Sequence, residues 1–549
     1  MPLLSVSNFS ANAQEKKLVN SISFDVYAGS ITGIVGESGS GKSVTCMGLT
    51  KLLPKNIVID GQVSFKNSAG NVCNLLRCDV KTLRALRGQE ISYIFQEPMT
   101  ALNPVHTCGY QVEEAIAAHQ NLSKKERKQK VLALFSEVKL PDVERIYHSF
   151  PHQISGGQRQ RVMISMALAN DPRLLIADEP TTALDASVQK SIIDLLVNMV
   201  KKREMALLFI SHDLNCLKSI ADSILVMYKG NLVEQGSADE IFNHPKHPYT
   251  KALMQTRPHY KSAGLVLPTI PDLLTEHSDG TFTEKIFVSE ERKKQTANDV
   301  ILEVKHLGKT YGKSRWLGKS QTPKPVLNGL SFKVTQGQTL GIVGESGCGK
   351  STLAKILTGL ENPTQGEIVI HKKNTASIGR QIQMVFQDPF SSLNPSLTGG
   401  EAISEPLLVH KMATNLKDAK QKTLELLNLT GLSEEFYNKY PHQMSGGQRQ
   451  RVCIARALSL EPSLLILDES VAALDVSVQS QILNLLKDLQ LKLGLTYLFI
   501  SHDLNSVGYM ADHIIVLKDG NIEEQNNALS LISKPQTDYT KFLINCMYD

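Results

Sequence analysis

Short runs of apolar residues alternate along the chain with segments whose apolar positions recur at helical spacing. In the first half the runs cover residues 31–35, 91–95, 174–177, 207–210 and 224–227. Runs of this length are typical of strands that are buried on both faces. Residues 96–155 are mostly helical in pattern, including residues 124–138. The alternation predicts an α/β fold with a parallel sheet and an inserted helical subdomain in each half.

The same series of segments occurs twice. Alternating apolar positions at Leu4 and Val6, which are typical of a half-buried strand, return at Leu302 and Val304. Three runs repeat at one constant spacing: residues 155–161 return as 445–451, 174–179 as 464–469, and 209–214 as 499–504. The chain is therefore predicted to be a domain duplication. The first half carries extra residues around 54–87, a loop-and-strand region where insertions are tolerated.

The join between the copies is predicted from composition. Residues 257–298 contain prolines, glycines and charges with weak periodicity, which indicates an extension and linker. The predicted domains are therefore residues 1–256 and residues 299–549. A basic insertion at residues 313–325 contains the only tryptophan, Trp316. We interpret it as a structural loop, and a membrane-surface or partner contact is the alternative.

The length, the net charge and the composition of the chain exclude several classes of protein. A chain of 549 residues is too long for one hydrophobic core, so two to four domains are expected. A formal charge of +5 gives no reason to expect nucleic acid. The N-terminus lacks a signal-peptide pattern, and no apolar run approaches the ~20 residues that cross a bilayer. The 8 cysteines form no Cys-x-x-Cys pair, which fits a reduced compartment and no metal-binding cluster.

A glycine-rich loop follows an apolar run and precedes a helix-compatible segment in each half. Glycines let backbone N–H groups approach phosphate oxygens, and the helix N-terminus adds partial positive charge. The lysine of such a loop reaches the β- and γ-phosphates, and the next hydroxyl binds Mg²⁺. A glycine turn beside a surface lysine is the alternative, and the second copy argues against it. The loops are Gly36, Glu37, Ser38, Gly39, Ser40, Gly41, Lys42 and Ser43, and Gly344, Glu345, Ser346, Gly347, Cys348, Gly349, Lys350 and Ser351.

Two adjacent carboxylates follow a buried strand in each half, Asp178 with Glu179 and Asp468 with Glu469. In phosphate-loop enzymes the strand-end aspartate holds Mg²⁺. The next carboxylate is placed to accept a proton from attacking water. A single Asp-Glu pair after a strand is common by chance. Its repetition after both phosphate loops favours the catalytic interpretation.

Three further features occur in each half. His212 follows the strand at 207–210 and is a candidate to hydrogen-bond the γ-phosphate. The alternative is a structural histidine whose hydrogen bonds are made within its own domain. That interpretation is disfavoured because His502 stands at the same position in the second half. Gln96 is neutral and suits the orientation of water or Mg²⁺. Ser155, Gly156 and Gly157 are predicted to open a helix through Leu168, which creates a second anion-binding N-terminus. One domain does not need two such sites for one nucleotide, which indicates a partner domain.

With these residues the chain resembles an ABC-type ATPase with two nucleotide-binding domains in tandem, each a P-loop NTPase domain with a helical subdomain. The resemblance covers both halves and includes an Ala-Leu-Asp turn at residues 183–185 and 473–475. In that family the two domains dock head to tail. The resemblance therefore implies an internal pseudo-dimer that binds ATP and Mg²⁺ between the phosphate loop of one half and the Ser-Gly-Gly-Gln signature of the other.

The resemblance assigns residues to two composite sites. The first is implied to contain Lys42, Ser43, Gln96, Asp178, Glu179 and His212, closed by Ser445, Gly446, Gly447 and Gln448. The second is implied to contain Lys350, Ser351, Thr352, Gln387, Asp468, Glu469 and His502, closed by Ser155, Gly156, Gly157 and Gln158. The implied Mg²⁺ ligands are Ser43, Gln96, Asp178, Ser351, Gln387 and Asp468, and the implied catalytic residues are Glu179, Glu469, His212, His502, Gln96 and Gln387.

The subfamily is also indicated. Residues 96–104 and 387–395 look like the glutamine loops of dipeptide, oligopeptide and nickel importers, as does the His-Pro-Tyr-Thr-Lys segment at 247–251, with its counterpart at 537–541. The fused arrangement is similar to the ATPase subunit of microcin C-type peptide importers. This resemblance implies two separate transmembrane permease subunits and an extracytoplasmic substrate-binding protein. It also implies a peripheral location on the cytoplasmic face of the inner membrane, without a nucleic-acid partner.

Three departures from the family pattern are visible. Tyr311 stands where family members stack adenine on an aromatic ring, and the first half has Ala13 there. Ser470 follows the second catalytic glutamate, where the first half has Pro180, yet both glutamates remain and two hydrolytic sites are predicted. Residues 257–300 contain no cysteine, so the iron–sulfur motif of some peptide-importer ATPases is not expected.

The leading hypothesis is an ATPase subunit that powers the uptake of peptides or peptide-like compounds through the permease subunits. A soluble tandem ABC ATPase that acts on ribosomes or DNA is the alternative. Ribosome-type members usually carry a long charged helical linker, and repair-type members carry paired-cysteine zinc sites; the sequence shows neither. A pseudo-ATPase scaffold is disfavoured because both sets of catalytic residues are intact.

Overall fold

The computed structural model describes residues 1–14, 16–95, 101–181, 184–211, 213–277, 280–292, 299–312, 324–371, 377–471 and 474–546. Within these residues each half contains an antiparallel sheet, a six-stranded mainly parallel sheet and a helical subdomain. The predicted α/β fold is therefore confirmed. The antiparallel sheet of each half was not predicted from the sequence.

The strands of the first half form two sheets. The antiparallel sheet has the order β2-β1-β4-β5, and the central sheet has the order β10-β9-β3-β8-β7-β6, in which only β10 is antiparallel to its neighbour. The strands are β1 (Leu4–Ala13), β2 (Lys16–Val26), β3 (Ile31–Val35), β4 (Ile57–Lys66), β5 (Val72–Asn74), β6 (Ile91–Ile94), β7 (Leu174–Asp178), β8 (Ala206–Ile210), β9 (Ser223–Tyr228) and β10 (Asn231–Ser237).

The helices of the first half cover the central sheet and build the subdomain between β6 and β7. They are α1 (Lys42–Leu49), α2 (Val80–Leu86), α3 (Cys108–Ala117), α4 (Lys124–Glu137), α5 (Val143–His148), α6 (Gly156–Ala167), α7 (Ala186–Arg203), α8 (Leu214–Ile220), α9 (Ala238–Asn243) and α10 (Pro248–Gln255). After them, α11 (Ile270–Leu273) precedes a hairpin of β11 (Leu274–Glu276) and β12 (Phe282–Glu284).

The second half repeats this plan. Its strands are β13 (Val300–Tyr311), β14 (Lys324–Thr335), β15 (Thr339–Val343), β16 (Gln365–Ile370), β17 (Ile382–Val385), β18 (Leu464–Asp468), β19 (Thr496–Ile500), β20 (His513–Lys518) and β21 (Asn521–Asn527), in the orders β14-β13-β16 and β17-β18-β19-β15-β20-β21. Its helices are α12 (Lys350–Leu357), α13 (Ile378–Gln381), α14 (Pro389–Ser392), α15 (Gly399–Val409), α16 (Leu416–Leu429), α17 (Gly446–Leu458), α18 (Val476–Leu493), α19 (Leu504–Met510), α20 (Ala528–Ser533) and α21 (Asp538–Asn545).

The extra residues of the first half form defined structure. The segment around residues 54–87 contains β4, β5 and α2, and the edge strand β5 pairs with β4. In the described part of the second half, β16 is followed by the short helix α13. The insertion therefore extends the edge of the antiparallel sheet and leaves the central sheet unchanged.

The apolar runs are uninterrupted because both faces of the central sheet are covered. Every residue of β7 is buried. Leu175 and Ala177 face a core shared with the helical subdomain, whereas Leu174 and Ile176 face a core shared with the antiparallel sheet. This double burial fixes the carboxyl ends of the parallel strands at one edge, where the site lies.

Two stretches of the segment after the first half, around Leu267 and Arg292, pack on the second half, whereas residues 273–274 between them belong to the core of the first half. Leu267 joins the buried core of the second half, and its backbone N–H and C=O both bond the Asn484 side chain, at 3.0 and 2.8 Å. Arg292 donates from Nη1 to the Tyr509 hydroxyl at 2.7 Å and from Nη2 to Asn484 at 3.1 Å. These contacts hold the two stretches against α18 and α19.

None of the described helices combines the length and the apolar character that crossing a bilayer requires.

Candidate functional site

The phosphate loops connect β3 to α1 and β15 to α12. Gly36 has φ +149°, and a Cβ there would lie 2.2 Å from the Met227 carbonyl oxygen. Gly344 has φ +156°, and its Cβ would lie 2.3 Å from the Leu517 carbonyl oxygen. The loops therefore require glycine where they pass the neighbouring strand β9 or β20.

The lysine of each loop is buried and folds back over the loop. Lys42 Nζ donates to the carbonyls of Gly36 at 2.7 Å and Glu37 at 2.9 Å. Lys350 Nζ makes the same bonds to Gly344 at 2.6 Å and Glu345 at 3.0 Å. Burial lowers the pKa of Lys42, opposed by the nearby carboxylates of Asp475, Glu179, Asp178 and Glu37.

The predicted catalytic glutamates follow the last residue of β7 and β18. Glu179 and Glu469 both have φ +46°, a left-handed conformation that is uncommon outside glycine. Each is held there by its backbone N–H, which donates to Ile210 O at 3.1 Å or to Ile500 O at 2.8 Å. Backbone conformations of this kind cluster at functional sites.

The strand-end aspartates differ in their partners. Asp178 accepts from the Ser43 hydroxyl through Oδ1 and from the Tyr93 hydroxyl through Oδ2, both at 3.1 Å. The strand register places Met384 where the first half has Tyr93. Oδ1 of Asp468 is buried and has no hydrogen-bond partner among the described residues.

The different hydrogen-bond partners of Asp178 and Asp468 also affect the pKa values of the two carboxyl groups. Burial, followed by the charge of Glu469, raises the pKa of Asp468 to about 6, against opposing contributions from Ser351 and Lys350. Burial also raises the pKa of Asp178, but the Ser43 and Tyr93 hydroxyls stabilise its charged form. A buried, unpaired carboxylate oxygen beside a serine hydroxyl is a fitting partner for Mg²⁺, which prefers oxygen ligands.

We expect Asp468→Asn to raise the melting temperature of the metal-free chain at pH 7.5. Because folding raises the pKa of Asp468, the folded state binds more protons than the unfolded state between about pH 4 and 6, and stability falls as pH rises through that window. The ionised side chain therefore costs on the order of 2–3 kcal/mol at pH 7.5. Differential scanning calorimetry in a chelator measures the gain.

The control is Asp178→Asn, for which we expect a smaller gain because Tyr93 and Ser43 already stabilise the charged carboxylate. The gain for Asp468→Asn should shrink by about half at pH 5. Equal gains in the two variants, or a gain that does not change with pH, would contradict the explanation.

The second half brings most of its predicted residues together in one cavity of about 350 Å³, although Asp468 and the opposite signature residues 155–158 do not line it. Gln387 Nε2 donates to Glu469 Oε2 at 2.7 Å, and His502 Nδ1 lies 3.5 Å from the same oxygen. Other residues on its wall are Tyr311, Ser346, Gly347, Gly349, Lys350, Ser351 and Thr352, with Leu184 and Asp185 from the first half.

Glu469 and His502 titrate as a pair. Burial raises the pKa of Glu469, but the hydrogen bond and charge of His502 outweigh it, so the pKa is lowered. The pKa of His502 is raised: burial by itself would lower it, but the hydrogen bond to Glu469 and the charge of that carboxylate have the larger effect. The site therefore favours an ionised carboxylate beside a protonated imidazole.

The structure also locates the two positions compared for adenine stacking. Tyr311 ends β13 and lies on the cavity wall, with Lys309 Nζ 5.0 Å from its ring centroid. Ala13 ends β1, the equivalent strand of the first half. The two halves therefore present different side chains at the same place in the fold.

Each Ser-Gly-Gly-Gln run starts a subdomain helix whose capping serine is exposed. Ser155 caps α6: its hydroxyl accepts from the Gln158 N–H at 3.3 Å, and the Gln158 side chain accepts from the Ser155 N–H at 3.1 Å. Ser445 and Gln448 form the same capping box at α17. Each glutamine therefore stabilises the helix start.

The two halves meet head to tail. Asp185 of the first half accepts a hydrogen bond from Ser346 in the second phosphate loop. Leu184, beside it, lines the Lys350 cavity, and a Cβ on Gly156 would lie 3.7 Å from Leu184 Cδ2. The first signature helix therefore starts one side chain away from the wall of the Lys350 cavity. A Cβ on Gly446 would lie 3.5 Å from Leu474 Cδ2 within the second half, and the first phosphate loop contacts that half through Ser477, which bonds Glu37.

Some predicted residues lie outside the described part of the chain. These are Gln96, His212, and the alanines Ala183 and Ala473 of the Ala-Leu-Asp turns. The insertion around Trp316 also lies largely outside it. The roles assigned to these residues stay predictions.

Other residues at the site were missed by sequence reasoning. Tyr93 bonds Asp178, Ser187 and Ser477 bond the opposite phosphate loop, and Tyr249 and Tyr539 bond their own loop. Two repeats in the sequence could have indicated the last four of them: Tyr-Thr-Lys at residues 249–251 and 539–541, and Ser-Val-Gln at residues 187–189 and 477–479.

Two glycine-rich phosphate loops, strand-end carboxylate pairs and capped signature helices that face the opposite half define an ABC-type ATPase of the P-loop class. The model of the ABC transporter family matches residues 19–182 and 327–472. The model of the oligopeptide/dipeptide transporter C-terminal region matches residues 233–280. The chain belongs to the ABC transporter ATPases, in the group that contains the ATP-binding subunits of peptide-type importers.

Two similar proteins align with nearly the whole chain. The chain is 39% identical to the glutathione import ATP-binding protein GsiA of Pectobacterium atrosepticum, over 98% of this chain and 88% of that protein. It is 41% identical to the protein of the same name from Escherichia coli, over 98% of this chain and 87% of that one. These relatives support the importer hypothesis and not the ribosome or DNA alternative.

Two solved structures are similar to part of the chain. The dimeric ATP-binding cassette MJ0796 bound to ADP and phosphate is 34% identical, with a TM-score of 0.37, over 42% of this chain and 99% of that chain. CbiO1 from Clostridium perfringens is 30% identical, with a TM-score of 0.37, over 43% of this chain and 92% of that chain.

Proposed function

We propose that this chain powers the uptake of short peptides or peptide-like compounds by hydrolysing ATP at two composite sites between its halves. The observation that carries the proposal is reciprocal contact: the second phosphate loop bonds Asp185 and Ser187, and the first bonds Ser477. Because the partners of each loop lie at the start of α7 or α18 in the other half, the signature helix of that half is proposed to complete each site. An ATP bound there touches both halves.

The phosphate loops are proposed to bind the nucleotide. Backbone N–H groups and the N-termini of α1 and α12 attract the phosphates, and Lys42 and Lys350 exchange their bonds to loop carbonyls for phosphate oxygens. The signature helices place a second positive N-terminus against the γ-phosphate when the halves close. Tyr311 is placed to stack on adenine at the second site, whereas Ala13 offers no ring at the first.

Glu469 is proposed to take the proton of the attacking water. It lies beside Lys350 in a partly enclosed cavity, Gln387 orients its carboxylate, and His502 keeps the carboxylate ionised. A carboxylate held in its basic form within reach of bound water suits general-base catalysis. Glu179 is proposed to do the same at the first site, because its backbone conformation matches that of Glu469.

Mg²⁺ would be held by Ser43, Asp178 and Gln96 at the first site and by Ser351, Asp468 and Gln387 at the second. Bound there, the ion would neutralise charge that develops on the phosphate oxygens. The buried free oxygen of Asp468 and the serine hydroxyl beside it fit this role. Tyr93 occupies one oxygen of Asp178 and leaves the other to Ser43.

The proposed partners are two transmembrane permease subunits and an extracytoplasmic substrate-binding protein, with this chain on the cytoplasmic face of the inner membrane. Exposed apolar side chains flank both glutamine loops, where permease helices would dock. They are Phe95, Val105 and Tyr110 in the first half and Phe386 and Phe390 in the second. We also propose domain boundaries at residues 256 and 299, with the docked segment between them as the linker.

Co-purification with the permease tests this proposal. From detergent-solubilised membranes of the native cell, the tagged chain should carry two membrane-spanning proteins, and cells that lack the chain should lose uptake of labelled short peptides. Glutathione is the first tripeptide to try, since the relatives are named for its import. We expect Phe390→Asp, at a side chain that is 57% exposed, to reduce recovery of the two proteins by about tenfold, as one apolar contact in an interface core can.

The matched control is Leu529→Asp, at a side chain in the same half that is 52% exposed and far in sequence from the glutamine loop. It should not change recovery. Recovery of ribosomal or DNA-bound proteins without any membrane protein would contradict the importer function and favour the alternative.

A further inference from the structure

The glutamate of each phosphate loop has no part in the proposed mechanism, yet both glutamates connect the two halves. Glu37 accepts a hydrogen bond from the Ser477 hydroxyl, and Glu345 accepts one from Ser187. Ser477 and Ser187 lie in the first turns of α18 and α7, just after the Ala-Leu-Asp turns. Because donor and acceptor come from opposite halves, these bonds exist only while the halves are together.

A buried tyrosine holds each of these glutamates from the other side. The Glu37 N–H donates to the Tyr249 hydroxyl oxygen at 3.3 Å, and the Glu345 N–H donates to the Tyr539 hydroxyl oxygen at 3.3 Å. The Tyr539 hydroxyl also lies 3.3 Å from Glu345 Oε2, which it can donate to. Tyr249 is fully buried and Tyr539 is 8% exposed.

The tyrosines come from the C-terminal extension of each half, at the start of α10 and α21. His247 and Pro248 precede the first, whereas Thr537 and Asp538 precede the second. The hydroxyl-to-loop bond is nevertheless the same in both. The shared function of the two extensions therefore lies in the tyrosine, and not in the histidine or proline.

The surroundings make this arrangement costly to disturb. Burial raises the pKa of Glu37, the Ser477 bond opposes that change, and the nearby charge of Asp475 adds to it. A carboxylate in such a place gains from every donor aimed at it. A cavity of only about 10 Å³ beside it is lined by Gly36, Glu37, Asp475 and Ser477, so the loop and the opposite helix are closely packed here. The bond to the tyrosine fixes the loop backbone and thereby the direction of the carboxylate.

We propose that Tyr249 and Tyr539 are positioning residues that aim the phosphate-loop glutamate of their own half at the serine of the opposite half. Each Tyr-Glu-Ser relay links a C-terminal extension to the closure of the two halves around ATP. This inference rests on the proposed composite sites. The relay strengthens the closed arrangement and adds nothing to nucleotide held by one half alone.

The experiment compares ATP with ADP on the full chain. In a Glu179→Gln, Glu469→Gln background, isothermal titration calorimetry with Mg²⁺ gives the Kd of each nucleotide. Tyr249→Phe with Tyr539→Phe should weaken ATP binding about fivefold, as expected for loss of a hydrogen bond at each site, and should leave ADP binding within about twofold. If the tyrosines were merely structural, their replacement would weaken the binding of ATP and of ADP to the same extent.

Further variants test whether the loss of ATP binding acts through the contact between the glutamate and the serine. Ser187→Ala with Ser477→Ala should give the same ATP-selective loss, and combining all four changes should weaken ATP binding by no more than either pair alone, since both pairs act through one contact. The matched control is Tyr228→Phe. Its ring lies 4.4 Å from that of Tyr249, but its hydroxyl bonds Glu276 of the extension at 2.8 Å, so ATP binding should not change.

Unchanged ATP binding in the tyrosine pair, or equal losses for ATP and ADP, would overturn the relay. If the background chain prefers ATP over ADP and the tyrosine pair keeps that preference, the composite sites stand and only the relay fails. If the background chain shows no preference for ATP, the composite sites fail and the relay fails with them.

Discussion

Replacing both strand-end glutamates, Glu179→Gln and Glu469→Gln, will abolish ATP turnover and leave ATP binding in place. Glutamine fills the same space and keeps the hydrogen bond to the neighbouring strand, which is made by the backbone. It cannot accept the proton of the attacking water. General-base catalysis contributes about 10²–10⁴-fold, so we expect a loss of at least about 100-fold in kcat. Phosphate release and equilibrium ATP binding are the two measurements.

Two other glutamates serve as a matched control. Glu204 and Glu461 lie one in each half, have φ +50° and +51°, and are exposed away from the phosphate loops. Their replacement by glutamine should leave turnover within about twofold, as surface substitutions usually do. Turnover within tenfold of normal in the Glu179, Glu469 double variant would assign the base to another residue.

Two double variants that each contain Lys42→Ala will retain different amounts of ATP. Combined with Gly446→Asp, Lys42→Ala damages one composite site twice and spares the other, so one ATP per chain should stay bound. Combined with Gly156→Asp, it damages both sites, and retention should fall below about a tenth, since loss of one hydrogen bond to a charged group costs about 1.5–3 kcal/mol, a factor of about ten or more in affinity. The count is made after gel filtration of the hydrolysis-deficient chain.

The aspartates are chosen because they fit the space. A Cβ on Gly446 or Gly156 meets only ordinary contacts, at 3.5 and 3.7 Å, and an acidic residue is favourable at a helix N-terminus. The new charge therefore repels phosphate and leaves the helix intact. Gly446→Ala and Gly156→Ala are the uncharged controls and should retain ATP normally. Equal retention by the two double variants would show that the sites are not shared between the halves.

The aspartate pair shows how the two sites come to differ although their motifs match. Asp178 and Asp468 occupy the same position in the sequence repeat, but Tyr93 bonds only the first, because β17 has Met384 at that place. The motif alone predicts equal sites. Burial raises the pKa of both aspartates, and the tyrosine hydroxyl from the neighbouring strand, which the motif does not include, opposes that change only in the first.

The sequence predicted the central parallel sheet of each half but not the antiparallel sheet. The parallel strands were predicted to within about two residues of their ends, because their double burial leaves continuous apolar runs. The antiparallel sheet was not recognised, although Leu4 and Val6 indicated its first strand. Its pairing joins β1 to β2 and β4, and nothing local in the sequence specifies those partners.

What the sequence by itself determined is the chemistry that contiguous residues carry. A phosphate loop, a strand-end carboxylate pair and a capped glycine-rich helix start are each complete within ten residues, so their identity and their duplication can be seen without coordinates. The tertiary structure alone decided which of them face each other. The bonds from Ser477 to Glu37, from Tyr249 to the same loop and from Tyr93 to Asp178 join residues far apart in the chain. Such bonds arise because the packed sheets and docked halves bring the groups together, and no periodicity in the sequence records them.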